Sequence, residues 1–190
     1  MTQSKTKKLI LSALFAALCC VATMVISLPT PTGGYINIGN TFVISSGILL
    51  GPLYGAFAAG IGSMLSDVFL GYISYAPATF IIKFLAAGAV GLTYRCLLKV
   101  IIQSPKNHSE AITVSSTRSI NIRQLLLPIL CGIVSSIIVI VGYFLYEWLL
   151  TSNAFAAAFS GITGNLIQGI SSTIIATLLY PFLLKIYHSN

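Results

Sequence analysis

Asp67, Lys83 and Glu147 are the residues through which this sequence could do chemistry, with Arg95 a fourth candidate. Each falls within or at the edge of a long apolar run. A charge in hydrocarbon costs several kcal/mol unless it is paired or lines a wet cavity. Other polar residues accompany them at helical spacing. Thr79 stands one turn before Lys83, Tyr143 and Glu147 are an i, i+4 pair, and Asn165 and Gln168 are an i, i+3 pair. Breaker-rich loops add Tyr35, Asn37, Tyr72 and Tyr75. One cation, two acids, amides and phenol rings suit the capture of a small polar heteroaromatic, because tyrosine faces stack on a ring and carboxylates accept from amino or hydroxyl groups. Bond-making chemistry has less support. Both histidines, His108 and His188, lie outside the apolar runs, and neither H-E-x-x-H nor G-x-S-x-G occurs. No G-x-x-x-x-G-K-[ST] phosphate loop occurs either, so this chain has no ATP-hydrolysing motif of its own.

The elements that must position these residues are helices in a bilayer. The chain has 190 residues, of which 56% are hydrophobic and 7% charged, against about 25% charged in a soluble domain. Mean hydropathy is +0.96. The reading is all-α and integral to the membrane, one domain over residues 1–190 with room for about six helices. Spans are expected at about 9–28, 38–50, 53–70, 77–98, 125–146 and 160–187. The second is short and stops at Gly51-Pro52. The fourth starts near Pro77, which suits a first helical turn. The sixth apolar stretch begins near Ala156, and a loop or short interfacial helix is expected before Gly161. Lys5, Lys7 and Lys8 precede the first apolar stretch, but no convincing cleavage site follows, so it reads as a retained helix rather than a leader. Cys19, Cys20, Cys96 and Cys131 lack metal-ligand spacing and read as small packing residues.

Orientation follows from lysine and arginine. With six spans and the N-terminus inside, the inner segments hold Lys5, Lys7, Lys8, Arg95, Lys99, Lys106, Arg118, Arg123 and Lys185, nine of the ten basic residues. Both termini are therefore expected in the cytoplasm, and the net charge of +7 reflects topology rather than nucleic-acid binding. The short second segment counts as a span on the same ground, since five spans would put Lys185 opposite the N-terminal lysines.

In this topology the intramembrane polar residues share a depth. Lys83 lies roughly 9 Å in from the outer start of its helix, and Asp67, Tyr143, Glu147, Asn165 and Gln168 all lie in outer halves. The inner halves are nearly pure Leu, Ile, Val and Ala. A through-pore is polar along its length; this pattern describes a cup, open outside and sealed inside. Structural roles remain open for each member. Asp67 and Lys83 can form an ion pair between helices, Glu147 can be an interfacial residue beside Trp148, Asn165 and Gln168 can bond neighbouring helices, and the tyrosines can form an interfacial belt. In the first segment Ala13 and Ala17, widened by Ser12 and Ala16, form a smooth face suited to close helix approach, either to a partner or to the protein's own helices. The small faces of the third segment (Gly55, Ala59, Ser63 and Ala58, Gly62, Ser66) read as internal packing.

Several stretches carry a family resemblance: Gly34-Tyr35-Ile36-Asn37-Ile38-Gly39-Asn40, Gly51-Pro52-Leu53-Tyr54-Gly55, Gly60-Ile61-Gly62-Ser63, Asp67, and Tyr75-Ala76-Pro77-Ala78-Thr79-Phe80-Ile81-Ile82-Lys83. With Gly142-Tyr143, Glu147, Gly164-Asn165 and Gln168, they resemble the substrate-binding S component of energy-coupling factor (ECF) vitamin transporters. The likeness is to the riboflavin-type branch, which includes proteins assigned to hydroxymethylpyrimidine and pyridoxine. The resemblance implies six helices, cytoplasmic termini and a multi-pass place in the cell membrane. It implies a vitamin site near the outer face under the loop from about Pro29 to Asn37, and docking through the A-x-x-x-A face that Ala13 and Ala17 match. The implied partners are a transmembrane coupling protein and two cytoplasmic ATPases, which use the ATP; this chain itself binds no cofactor. The polar stretch from Gln103 to Gln124 matches no family feature.

The sequence therefore describes a capture subunit with no catalysis of its own. The substrate-binding candidates are Tyr35, Asn37, Asp67, Tyr75, Thr79, Lys83, Tyr143, Glu147, Asn165 and Gln168, and the docking candidates are Ala13 and Ala17. Hydroxymethylpyrimidine and pyridoxine are favoured over a large flavin. A stand-alone secondary transporter of a small heteroaromatic is the alternative, disfavoured by the missing internal repeat and the sealed inner half; an intramembrane enzyme comes last.

Overall fold

The computed structural model describes residues 5–29, 35–102, 122–150 and 155–188. Nearly all of them are helical: α1 (Lys5–Val25), α2 (Asn40–Leu50), α3 (Pro52–Phe69), α4 (Ala76–Ile102), α5 (Ile122–Leu150) and α6 (Phe155–His188). Between α1 and α2 stand two short strands, β1 (Ser27–Pro29) and β2 (Tyr35–Asn37). They pair antiparallel with Ser27 opposite Asn37 and Pro29 opposite Tyr35.

Stretches within α1, α4, α5 and α6 are long and apolar enough to cross a membrane. Their outward side chains are Leu, Ile, Val and Phe, as lipid requires, with Leu14, Ile81, Ile137 and Ile170 all exposed. Helix α2 differs. Its 11 residues are buried on almost every side, with Val43, Ile44, Ser46 and Asn40 fully enclosed. It is the core about which the longer helices pack. Val43 meets Cys19, Ala59, Ala86 and Val139 in one cluster, while Ile44 and Ile48 meet Val90, Cys131, Ala176 and Tyr180 in another.

The turn from α2 to α3 depends on Gly51, whose φ of +81° is a conformation that a side chain disfavours. Pro52 then opens α3 with its ring in the first turn. The Arg95 guanidinium fills the space beside Gly51, so this exposed side chain covers the α2–α3 corner. The small faces of α3 are internal: Gly55 lies on the backbone at Ser46 of α2, and Gly62 on the backbone at Ala16 of α1. Cys19, Cys20 and Cys131 are buried free thiols, and Cys96 is exposed.

Two local expectations are corrected. Residues 27 to 29 belong to a strand, not to the end of the first helix. Ser27-Leu28-Pro29 is apolar enough to read as a helix tail, but its backbone groups pair with β2 instead. The sixth helix is continuous from Phe155, with neither a loop nor a separate interfacial helix before Gly161. Ala156, Ala157 and Ala158 are strong helix formers, and they carry the helix through Gly161 and Gly164. The polar stretch from 103 to 121 and the loop residues 30 to 34 and 151 to 154 lie outside the described residues.

Candidate functional site

The strand pair lies over one end of the helical body, and β2 is what places the first two site residues. The Asn37 backbone N–H donates to Gln168 Oε1 at 3.0 Å, which fixes the strand to α6. Tyr35, two residues away on the same side of the strand, donates its hydroxyl to the Asp67 carboxylate of α3. Its ring lies 4.8 Å from that of Tyr72, which in turn stands 6.4 Å from Tyr75. Tyr75 continues the aromatic series to Tyr146, at 5.2 Å edge to face. The Tyr146 hydroxyl donates to the Ser74 carbonyl and ties α5 to the turn before α4.

Beneath this rim is a cavity lined by side chains from every one of these elements. Tyr35, Asn37, Asp67, Tyr75, Thr79, Tyr143, Glu147, Asn165 and Gln168 all face it, with Ile36, Gly161 and Gly164. Its volume is about 30 Å³, room for one or two waters. Thr79 and Tyr143 share a 3.0 Å hydroxyl–hydroxyl bond that closes the wall between α4 and α5. Asn165 donates to the Gly161 carbonyl at 3.1 Å, one turn back on its own helix.

Nine of the ten predicted site residues thus converge; Lys83 does not line the cavity. It stands behind the wall, only 2% exposed, with Nζ donating to Asn40 Oδ1 at 3.1 Å and lying 5.5 Å from the centre of the Tyr143 ring. Asp67 bonds Tyr35, not Lys83, so the two charges have separate partners. Sequence reasoning missed Asn40, the first residue of α2, and Gly161. The latter has a steric role: a Cβ there would occupy the place of the Glu147 carboxylate. Its signal was position, since Gly161 lies one turn before Asn165 on the same face.

Asp67 and Gln168, which line the cavity, each carry a buried polar atom without a hydrogen bond. Asp67 Oδ2 and Gln168 Nε2 are enclosed and have no protein partner, although each residue is only 1% exposed. Buried polar groups left unbonded cost about 1–3 kcal/mol each, a cost that a ligand in the cavity would relieve at these two; Thr41 Oγ1, Ser135 Oγ and Ser172 Oγ are likewise unbonded but line no part of it. At the mouth, burial and then the nearby Glu147 carboxylate push the Tyr75 phenol up to about 12. It remains protonated, and so a hydrogen-bond donor, at neutral pH.

The docking candidates lie elsewhere. Ala13 and Ala17 are exposed on α1, at the edge of an apolar groove bounded by Tyr54, Phe57, Ile61 and Leu65 of α3. Ala16 makes the internal contact instead, against Gly62.

Known proteins share this fold and sequence. A solved structure described as "Structure and mechanism of the S component of a bacterial ECF transporter" superposes with a TM-score of 0.62, covering 96% of this chain and 98% of the other. At 20% identity that likeness is one of fold. An uncharacterised protein from Pyrococcus woesei, described as lying in a "gap 3'region", is 45% identical over 64 residues. That match takes in 33% of this chain and spans 43% of the relative's length. The sequence model for "ECF-type riboflavin transporter, S component" matches residues 3–187, a family of transporter components and not of enzymes. Since the match takes in all the cavity residues and nearly the whole helical body, the chain belongs to the family of ECF-type riboflavin transporter S components.

Proposed function

We propose that the protein captures a small vitamin or vitamin precursor at the outer face of the cell membrane, for import driven by partner subunits. The observation that carries this reading is the pair of unsatisfied atoms, the acceptor Asp67 Oδ2 and the donor Gln168 Nε2, in a cavity rimmed by tyrosines. A ligand with both a donor and an acceptor would complete them. Compact rings such as hydroxymethylpyrimidine or pyridoxine meet that need in less space than a flavin, which suits a narrow cavity. The cavity is narrow, with a volume of about 30 Å³, and the β1–β2 pair that bears Tyr35 and Asn37 is the element whose movement would widen it. Among the described residues, the Asn37–Gln168 and Tyr35–Asp67 hydrogen bonds hold β2 to the helices.

In this reading the chain is multi-pass, with six crossings and both termini in the cytoplasm, as the basic residues imply. Helix α2 is about 16 Å long, against a hydrocarbon core of about 30 Å. It crosses with the cavity above it, and the polar site occupies the remaining outer thickness. The partners are an ECF transmembrane coupling protein and two cytoplasmic ATPase subunits, which hydrolyse ATP; this chain binds no cofactor. Ala13 and Ala17 form the docking face, since their exposure leaves a smooth strip on which another helix can approach closely.

A paired experiment tests the proposal. Ala13→Trp with Ala17→Trp abolishes cellular uptake and partner pull-down while ligand affinity of the isolated subunit stays within about twofold, under 0.5 kcal/mol. Normal uptake and assembly by the double variant would remove α1 as the docking face. Loss of ligand binding by a folded variant would make the strip part of the binding body instead.

A further inference from the structure

We propose that the cavity selects a positively charged ligand: a compact heteroaromatic carrying a protonated amine. The inference rests on the capture function above and adds the charge of its ligand. The whole chain has three acidic residues, Asp67, Glu110 and Glu147. Both of those within the described residues, Asp67 and Glu147, line this one cavity, and none of the described basic side chains does. Lys83, the basic residue nearest the site in the fold, points its ammonium at Asn40 and the Tyr143 ring from behind the wall. It offsets one carboxylate at a distance and presents no donor to the cavity. An ammonium ligand would favour the ionised form of both acids, and the lining then carries a negative charge to match it in surroundings where charge is weakly screened.

The unsatisfied atoms point the same way. One Asp67 oxygen takes the Tyr35 hydroxyl; the other, Oδ2, is enclosed at the cavity without a partner. A carboxylate oxygen in that position is an acceptor only, and an ammonium is its strongest complement. Tyr35, Tyr75 and Tyr143 also line the cavity, and a phenol π-face turned to a bound cation would add a second attraction. Gln168 Nε2 supplies the complementary donor, suited to a ring nitrogen or hydroxyl of the same ligand. A phosphorylated form of such a ring would meet two carboxylates and is excluded.

Matched probes separate charge from shape. Pyridoxamine and pyridoxine differ by an aminomethyl for a hydroxymethyl group, and so do the 5-aminomethyl and 5-hydroxymethyl forms of 4-amino-2-methylpyrimidine. Calorimetric titration of the full chain in lipid nanodiscs at neutral pH gives the four affinities. The ammonium member of at least one pair is expected to bind about tenfold tighter or more. Asp67→Asn, which keeps an acceptor for Tyr35, and Glu147→Gln are each expected to shrink that preference several-fold. Equal or tighter binding of the hydroxymethyl member in both pairs overturns the inference and leaves the capture function standing; this comparison needs only the natural sequence. Binding of none of the four probes overturns the ligand class itself, and the charge selection with it.

Discussion

The two ends of the helical body both bury hydroxyl groups, and they bury them differently. At the end away from the strands, Tyr94 of α4 and Tyr180 of α6 bond each other at 2.8 Å, with rings 6.3 Å apart edge to face. Tyr94 lies about 22 Å along α4 from Thr79. The pair sits on a shell of Ile44, Ile48, Val90, Cys131 and Ala176, and each hydroxyl satisfies the other. At the strand end, Tyr35 donates to Asp67, Thr79 and Tyr143 bond each other and Gln168 accepts from the Asn37 N–H, but Asp67 Oδ2 and Gln168 Nε2 are left over beside a cavity. Burial alone therefore does not mark a site. Incompleteness alone does not either, since Thr41 Oγ1, Ser135 Oγ and Ser172 Oγ are also enclosed and unbonded; the strand end differs in that its unbonded groups belong to residues lining a cavity.

Substitutions at the two ends put that contrast to the test. The largest effect belongs to Gln168→Ala, which removes the anchor of the Asn37 N–H and the free donor together. Ligand affinity should fall about a hundredfold, near 2.8 kcal/mol, for two hydrogen bonds lost. A smaller effect belongs to Gly161→Val. Its side chain would displace the Glu147 carboxylate, and calorimetry should show affinity reduced about tenfold with helix content unchanged. The smallest belongs to Tyr94→Phe. It leaves the Tyr180 hydroxyl without its partner and should cost about 1 kcal/mol of thermal stability, while affinity stays within about twofold. A binding loss at Tyr94 as large as that at Gln168 would erase the distinction between the two ends.

Much of this arrangement was legible in the sequence, because depth along a helix follows from counting residues. Apolar run lengths and breakers located the helices, and helical spacing put Asp67, Thr79, Tyr143, Glu147, Asn165 and Gln168 at one level. Rotation about a helix axis was less legible. Lys83 lies at the expected depth but faces Asn40, because the position one turn before it, Thr79, takes the cavity wall while the lysine stem leans behind Tyr143. The α1 strip shows the same limit. Ala13, Ala16 and Ala17 all looked smooth, yet Ala16 packs on Gly62 and the other two face outward. The strand pair was not legible, since its bonds run between two tripeptides, residues 27–29 and 35–37, and neither is long enough to show alternation. Gly161 read as the start of the last span because the apolar stretch from Ala156 is long for one crossing, whereas the helix runs through it and its missing side chain makes room for a carboxylate.

The central claim is that the strand-end cavity holds a small heteroaromatic ligand. Mass spectrometry of small molecules released from the purified natural-sequence subunit, beside the same protein carrying Gln168→Ala, tests it most directly. The account predicts one heteroaromatic compound of single-ring size at near-stoichiometric yield from the natural sequence, and its loss from the folded variant. A flavin-sized compound, or the same compound recovered equally from both proteins, would contradict it.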